Sequence, residues 1–146
     1  MTVLYADASA LARAYLPDET GHAELRRLIR EDVEPVITSE VAAVEVAHAV
    51  RAAARLGRHR DWQPIMARFE RETGAGVVIT MIGLDPARVL PMAKDLVLEH
   101  SVGTLDAIHL AVALQDGREL GEDDLVFVTR DRVQARVARV LGLTVA

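Results

Sequence analysis

The chain has no cysteine, which rules out both a disulfide framework and a thiolate metal site. Aromatic residues make up 3% of its 146 positions, too few for base-stacking platforms to be the main binding device. No apolar run approaches the ~18 residues of a membrane span. The opening MTVLYADAS lacks the basic-then-apolar layout of a signal peptide. These absences fit a cytoplasmic protein that does not enter a membrane. There is no Gly-rich phosphate loop and no His/Cys zinc spacing. Ser9 is not set in a nucleophile elbow, which disfavours a serine hydrolase. Lysine is nearly missing too: of 17 basic residues only Lys94 is Lys, and the rest are Arg.

What is present is apolar: 51% of residues, chiefly Val, Leu, Ile and Ala. The length suits one domain, residues 1–146, with a real hydrophobic core. The formal charge of −5 argues against a general nucleic-acid binder. The arginines nonetheless cluster, at Arg26, Arg27 and Arg30, at Arg51, Arg55, Arg58 and Arg60, and at Arg130, Arg132, Arg136 and Arg139. A coding bias toward Arg and Ala accounts for their number. Their planar forks still suit phosphate, and an acidic pocket with basic flanks would combine low net charge with attraction for a phosphate backbone.

Apolar periodicity predicts alternating strands and helices. Residues 2–6 read as a buried strand ending at Asp7. Ala10, Leu11, Ala14 and Tyr15 mark a helix stopped by Pro17, and Leu25, Leu28 and Ile29 a second. Residues 35–38 read as a strand, with Thr38 or Ser39 able to cap a helix that runs to about Leu56 and ends at Gly57. Trp62, Ile65, Met66 and Phe69 form another helical stripe. Gly74 and Gly76 introduce a strand over 77–82. Asp85-Pro86 starts a helix, with Pro91 a possible kink. Thr104 is placed to cap the apolar helix AIHLAVAL, which reads as buried on most faces. Residues 115–124 read as a polar loop before the strand LVFV. A helix over 131–141, a stop at Gly142 and a short strand over 143–145 close the chain. Strands separated by helices imply a mostly parallel sheet covered on both faces.

Four acids stand where one element passes to the next: Asp7 in VLYADASAL, Glu45 in SEVAAVEVAHAV, Asp106 in GTLDAIHLAVAL and Asp131 in LVFVTRDRV. A carboxylate in apolar sequence is costly unless something offsets its charge. Ligands of open parallel sheets bind at the carboxyl ends of the strands, where Asp7 and Asp131 fall. Asp106 occupies a first helical turn, favoured by the dipole. Glu45 shares a helical face with Val41, Val44, His48 and Ala52, which reads as core-facing. Singly, Asp7 and Asp131 can be caps, Asp106 can serve the dipole, and Glu45 can pair with an arginine. Together, one hard divalent cation accounts for all four, since such ions prefer carboxylate oxygen. Without that cation the four acids should titrate as a coupled set with raised pKa values. His109 and His48 read mainly as structural, although His109, one turn after Asp106, could orient it or a water. Glu40, near the start of its helix, has two readings, support for the pocket and, ahead of it, a first-turn acid serving the dipole. Asp116, Glu122, Asp123 and Asp124 read as solvated.

The segments D-A-S-A-L at 7–11, S-E-x-x-x-x-E at 39–45, L-D-A-I-H-L-A-x-A at 105–113 and V-T-R-D at 128–131, in this order, resemble the PIN-domain nucleases. Within them the chain is similar to the VapC-like toxins of bacterial toxin–antitoxin pairs. The resemblance implies an α/β fold, a three-layer α/β/α sandwich with a mostly parallel central sheet. It implies a Mg²⁺- or Mn²⁺-dependent endoribonuclease; from the acidic cluster the expected mechanism is hydrolysis of RNA phosphodiesters by metal-activated water, leaving a 5′-phosphate and a 3′-hydroxyl. By residue match Asp7, Glu45, Asp106 and Asp131 would be catalytic and hold one or two metals, with Ser9 and Thr129 supporting them. A homodimer and a cognate antitoxin are implied as partners, and residues 58–76 would form part of a protruding helical arm. Arg130, nearest the acids in sequence, is the candidate phosphate contact. Two competing readings are a non-catalytic PIN-like interaction module and a phosphotransfer receiver or phosphatase. The second fits poorly, because Ser9 stands where a phosphatase wants an acid and Lys94 lies in a helix.

Overall fold

The computed structural model describes residues 1–73, 78–121 and 124–146. The expectations placed on Gly74, Gly76, Glu122 and Asp123 lie outside the described residues. Among the described residues five short strands form one sheet: β1 (Val3–Ala6), β2 (Val36–Ser39), β3 (Ile79–Ile82), β4 (Leu125–Val128) and β5 (Thr144–Val145). Their order is β3-β2-β1-β4-β5, and every pairing is parallel. The chain steps outward from β1 through β2 to β3, then returns to the other side of β1 for β4. That reversal places a crevice at the carboxyl ends of β1 and β4, where ligands of such sheets bind.

The helices are α1 (Ala8–Tyr15), α2 (His22–Arg26), α3 (Val41–Arg55), α4 (Gln63–Thr73), α5 (Pro86–His100), α6 (Thr104–Val112), α7 (Arg118–Gly121) and α8 (Arg132–Val140). Side chains alternate across a strand, so Leu4 and Ala6 face one layer while Val3 and Tyr5 face the other. The first layer packs α1, α2, α3 and α4 through Leu11, Leu25, Val46 and Phe69. The second packs α5, α6 and α8 through Val89, Leu96, Leu110 and Val137. Three layers, α/β/α, result, as the resemblance implied. Among the described residues no helix is long and apolar enough to cross a membrane.

Several local expectations are corrected. Thr38 does not cap α3: fully buried in β2, its hydroxyl donates to the Ala6 carbonyl at 2.7 Å and stitches β2 to β1. Ser39 does face the helix start, accepting from Val41 N at 3.4 Å. Gly103, not Thr104, is the extended residue before α6. The second helix widens into a π turn over Arg27–Glu31. Residues 115–124 are no simple loop, because α6 runs on through a π turn over Ala113–Gly117 into α7. There the chain passes close to β1, and a Cβ added at Gly121 would lie 3.2 Å from that of Val3. Asp116 is not merely solvated, since Arg88 Nη1 donates to it at 3.1 Å.

Nor does α4 protrude as an arm. Phe69 is buried and meets Tyr15 edge-on, with ring centroids 5.2 Å apart. Arg30 reaches from the π turn to grip Glu72 with two hydrogen bonds of 2.8 and 3.0 Å. Its guanidinium lies over the Tyr15 ring, and Tyr15 donates to the same carboxylate. The apolar stripe of α4 is thus covered at Phe69 by Tyr15 of α1, while α4 also packs against β3 and α3.

Candidate active site

Asp7 leaves β1 at the crevice and is 2% exposed. It caps α1, with Ala10 N donating to Oδ1 at 2.9 Å. It does more than cap. The Ser9 hydroxyl donates to Asp7 at 2.8 Å, and the Thr129 hydroxyl, from the end of β4, donates to Oδ2 at 2.6 Å. Ser9 and Thr129 are in turn fixed as acceptors, by Arg130 N at 2.9 Å and Asp131 N at 3.0 Å. The two hydroxyls therefore lock β1, α1 and the β4 exit around one carboxylate. Burial pushes the Asp7 carboxyl up, against the pull of the Thr129, Ala10 and Ser9 hydrogen bonds, and the net shift is upward.

Asp131 caps α8, its Oδ1 accepting from Gln134 N at 2.8 Å. Gln134 is fully buried and bridges the site. Its Oε1 lies 3.3 Å from the Thr129 hydroxyl, and its Nε2 donates to the Asp106 carbonyl at 3.3 Å. That amide ties the start of α6 to the start of α8. Sequence reasoning passed over Gln134, although Asp131-x-x-Gln134 has capping-box spacing.

Asp106 sits half-buried in the first turn of α6. Its carboxyl is pushed up to about 6, by burial first and then by the negative charges of Asp131, Asp7 and Glu45. Carboxylates from four separate segments therefore feel one another at this point.

Glu45 reaches the site by a route that helical spacing did not show. The buried face of α3 is Ala42, Val46, Val50 and Ala53. Val44 and His48 are exposed, so the core-facing stripe expected for Glu45 is corrected. Glu45 stands at the edge of that face, where His109 Nε2 donates to Oε1 at 2.6 Å. In the neutral ring that donates from Nε2, Nδ1 is the acceptor, and the Tyr5 hydroxyl lies 2.9 Å from it. Burial pushes that hydroxyl well above its ordinary range, so it keeps its proton. Tyr5 and His109 are both buried, and the ring of Tyr5 stacks on Phe127 at 5.4 Å. His109 is satisfied at both nitrogens, and it orients Glu45 rather than Asp106. Nothing in the sequence marked Tyr5, which looks like an ordinary core residue of β1.

Glu40 stays outside this set, accepting from Leu84 N beyond β3. Arg130 adjoins it, but its guanidinium is engaged by the Thr129 carbonyl at 2.9 Å and by Glu24 at 3.1 Å.

The donor set suits a hard cation. It is all carboxylate oxygen, and hard divalent ions take such ligands together with water. Among the described residues Asp131 and Glu45 each keep one oxygen without a protein donor, and Asp106 keeps both. No three of the described acidic or imidazole groups already close on one point. The observation that favours a cation is the mutual charge at Asp106, which a bound ion would relieve.

Residues 4–140 match the family model of the PIN domain. No curated protein matches the sequence. Among solved structures, VapC20 of Mycobacterium tuberculosis, described as a sarcin–ricin loop cleaving toxin, superposes with a TM-score of 0.64 at 17% identity, over 91% of this chain and 93% of that one. PAE2754 of Pyrobaculum aerophilum gives 0.64 at 22% identity, over 99% and 83%. VapBC2 of Rickettsia felis, bound to a DNA fragment from its promoter, gives 0.65 at 12% identity, over 99% and 98%. At these identities the likeness is one of fold.

Proposed function

Because the chain belongs to the PIN domain family, we propose that it is a Mg²⁺- or Mn²⁺-dependent endoribonuclease and the toxin of a type II toxin–antitoxin pair. The observation that carries this reading is the PIN-domain match over residues 4–140, with the carboxyl of Asp106 raised by burial first and then by Asp131, Asp7 and Glu45 near the switch point of a parallel sheet. Acids gathered in that way work against the fold unless they serve a site.

Asp7, Asp106 and Asp131 would hold the metal, with Glu45 completing the set directly or through water. A divalent ion bound there supplies positive charge that lets the carboxylates ionise together and that polarises a phosphodiester and a water. The chain's own residues supply the rest. Ser9 and Thr129 hold Asp7 in one rotamer by donating to it. Gln134 holds the α6 and α8 starts in register. Tyr5 and His109 aim Glu45. The protein itself forms no covalent intermediate.

The fold of VapC20, a loop-cleaving toxin, supports the cleaving role, and the fold of VapBC2 supports an antitoxin partner. A homodimer fits the apolar surface of α5 and α6, where Leu90, Leu98 and Leu105 are exposed. The cytoplasm is the compartment this reading requires. Asp7→Asn tests it. Asn still caps α1 through Ala10 N, so the fold should stand while Mn²⁺-dependent RNA cleavage is lost. Cleavage by Asp7→Asn at the wild-type rate would end the proposal. A wild-type protein with no metal-dependent cleavage of any RNA would favour the interaction module.

A further inference from the structure

Beside the acidic centre, on the side of α1 and α8, lies a cleft of about 390 Å³. Its walls carry Arg13, Arg130, Arg132 and Arg139, and it shares Thr129 and Asp131 with the acidic site. In a chain of net charge −5, four arginines around one cleft are a local reversal of sign. The reversal is built from two helices. On α1, Arg13 follows Ser9 by one turn on the same face. On α8, Arg132 and Arg139 are three before and four after Ala135, whose small side chain leaves the floor between them open. Asp131 begins that same face. Moving away from the carboxylates along either helix therefore leads from an acid or its hydroxyl partner to arginine within one or two turns, each rising about 5.4 Å.

The four guanidinium groups are not equivalent. Arg130 is occupied, by Glu24 and the Thr129 carbonyl. Arg13 makes one long hydrogen bond, 3.4 Å to the Thr20 carbonyl. Arg132 and Arg139 are exposed and have no hydrogen-bond or ion-pair partner among the described residues. Some surface arginines elsewhere take acids, as Arg58 does with Asp18 and Glu19 and Arg88 with Asp116 and Glu119, while others such as Arg55 and Arg60 have none among the described residues. What sets Arg132 and Arg139 apart is that they share one cleft with Arg13 beside the acidic site. A cation face left open next to a carboxylate site matches a ligand that is anionic along its length, and a planar fork matches phosphate oxygens.

Resting on the nuclease reading, we propose that this cleft binds the phosphodiester backbone of single-stranded RNA on one side of the bond to be cut, through Arg13, Arg132 and Arg139. Arg130 acts there as a brace that holds the β4 exit against α2. The contacts are to backbone and carry no base identity. They concern substrate binding, so loss of them raises KM more than it lowers kcat.

The test is binding of a short fluorescent RNA to the full chain in EDTA, followed by anisotropy over a salt series. Single-strand binding falls with salt at a slope of about 0.7 per phosphate neutralised. The paired change Arg132→Ala with Arg139→Ala should weaken binding roughly tenfold and lower the slope by about 1.4. Arg55→Ala with Arg60→Ala removes the same charge from exposed positions outside the cleft and should leave both quantities unchanged. Equal losses in the two pairs would overturn the proposal, because net charge alone would then be responsible. Unaltered RNA binding by the cleft pair, with loss instead of binding to an acidic peptide, would overturn it in favour of a protein-docking surface. If the cleft pair loses RNA binding while wild type cuts no RNA in Mn²⁺, the cleft stands as a backbone site and only the hydrolytic reading fails.

Discussion

Asp106→Asn should make the protein more stable while abolishing the proposed RNA cleavage. The carboxyl of Asp106 is raised from 3.8 to about 6, by burial first and then by Asp131 and Asp7. The folded chain therefore holds this proton more tightly than the unfolded chain does. Stability falls as pH rises from about 4 to about 6, and above that the whole cost of the charge is present. Without discount, a change of that size would correspond to about 3 kcal/mol. Asp106 is only half-buried, so solvent screening reduces this to about 1 kcal/mol. Asn keeps the shape, removes the charge and forfeits a helix-dipole contribution of a few tenths of a kcal/mol. In EDTA near pH 8 the variant should melt about 2–4 °C above wild type. Near pH 4 the advantage should vanish, since Asp106 is then protonated in the folded wild type. Mg²⁺ should raise the wild-type melting temperature by mass action and leave the variant almost unmoved. Thermal unfolding at the two pH values, with and without Mg²⁺, reads all of these. A variant less stable than wild type near pH 8, or an advantage that persists near pH 4, would refute the crowding of carboxylates at this point.

Two further expectations concern parts of the molecule with different roles. Glu72→Gln removes the charge that Arg30 and Tyr15 share, leaving a mostly buried guanidinium unpaired, at a cost of about 2–3 kcal/mol in denaturant melts. Burial raises the Glu72 carboxyl, but the hydrogen bonds from Arg30 and Tyr15 and the positive charges of Arg30 and Arg68 together outweigh it, so its contribution is present above its unfolded value and is lost as pH falls through the lower folded one. The stability difference from the variant should therefore shrink in acid, and a constant difference would refute the assignment. Tyr5→Phe takes the donor from His109 Nδ1 and should cost about 1–2 kcal/mol. Because His109 aims Glu45, metal affinity should also fall about 10–100-fold. A variant that loses stability but keeps metal affinity would make the chain from Tyr5 to Glu45 purely structural.

Element order was legible in the sequence because periodicity is local. The Val-Leu-Tyr-Ala run, the Asp85-Pro86 start and the Ala10-Leu11-Ala14-Tyr15 stripe each announce their own structure within a few residues. The acids were legible for the same reason, each being out of place among apolar neighbours. The helix caps were read less well. Thr38 and Thr104 have the right chemistry for a cap, but whether a hydroxyl turns to a helix start or to a neighbouring strand depends on where that strand lies. The stripe of α4 was seen and its cover was not, because Tyr15 and Glu72 are 57 residues apart.

By itself, then, the sequence determined an alternating α/β chain, three carboxylates at its junctions with a fourth within a helix, and the order in which the strands follow one another along the chain. Tertiary structure alone decided how those carboxylates are held. Asp7 and Thr129 meet across 122 residues only because β1 and β4 are neighbours in the sheet. Glu45 is aimed by a histidine on another helix and, behind it, by a tyrosine in β1. The arginine cleft exists only where α1 lies beside α8. Hydrophobic periodicity is a property of a few consecutive residues. A site is a property of which strands pair, and that is settled by the burial of both faces of the sheet at once.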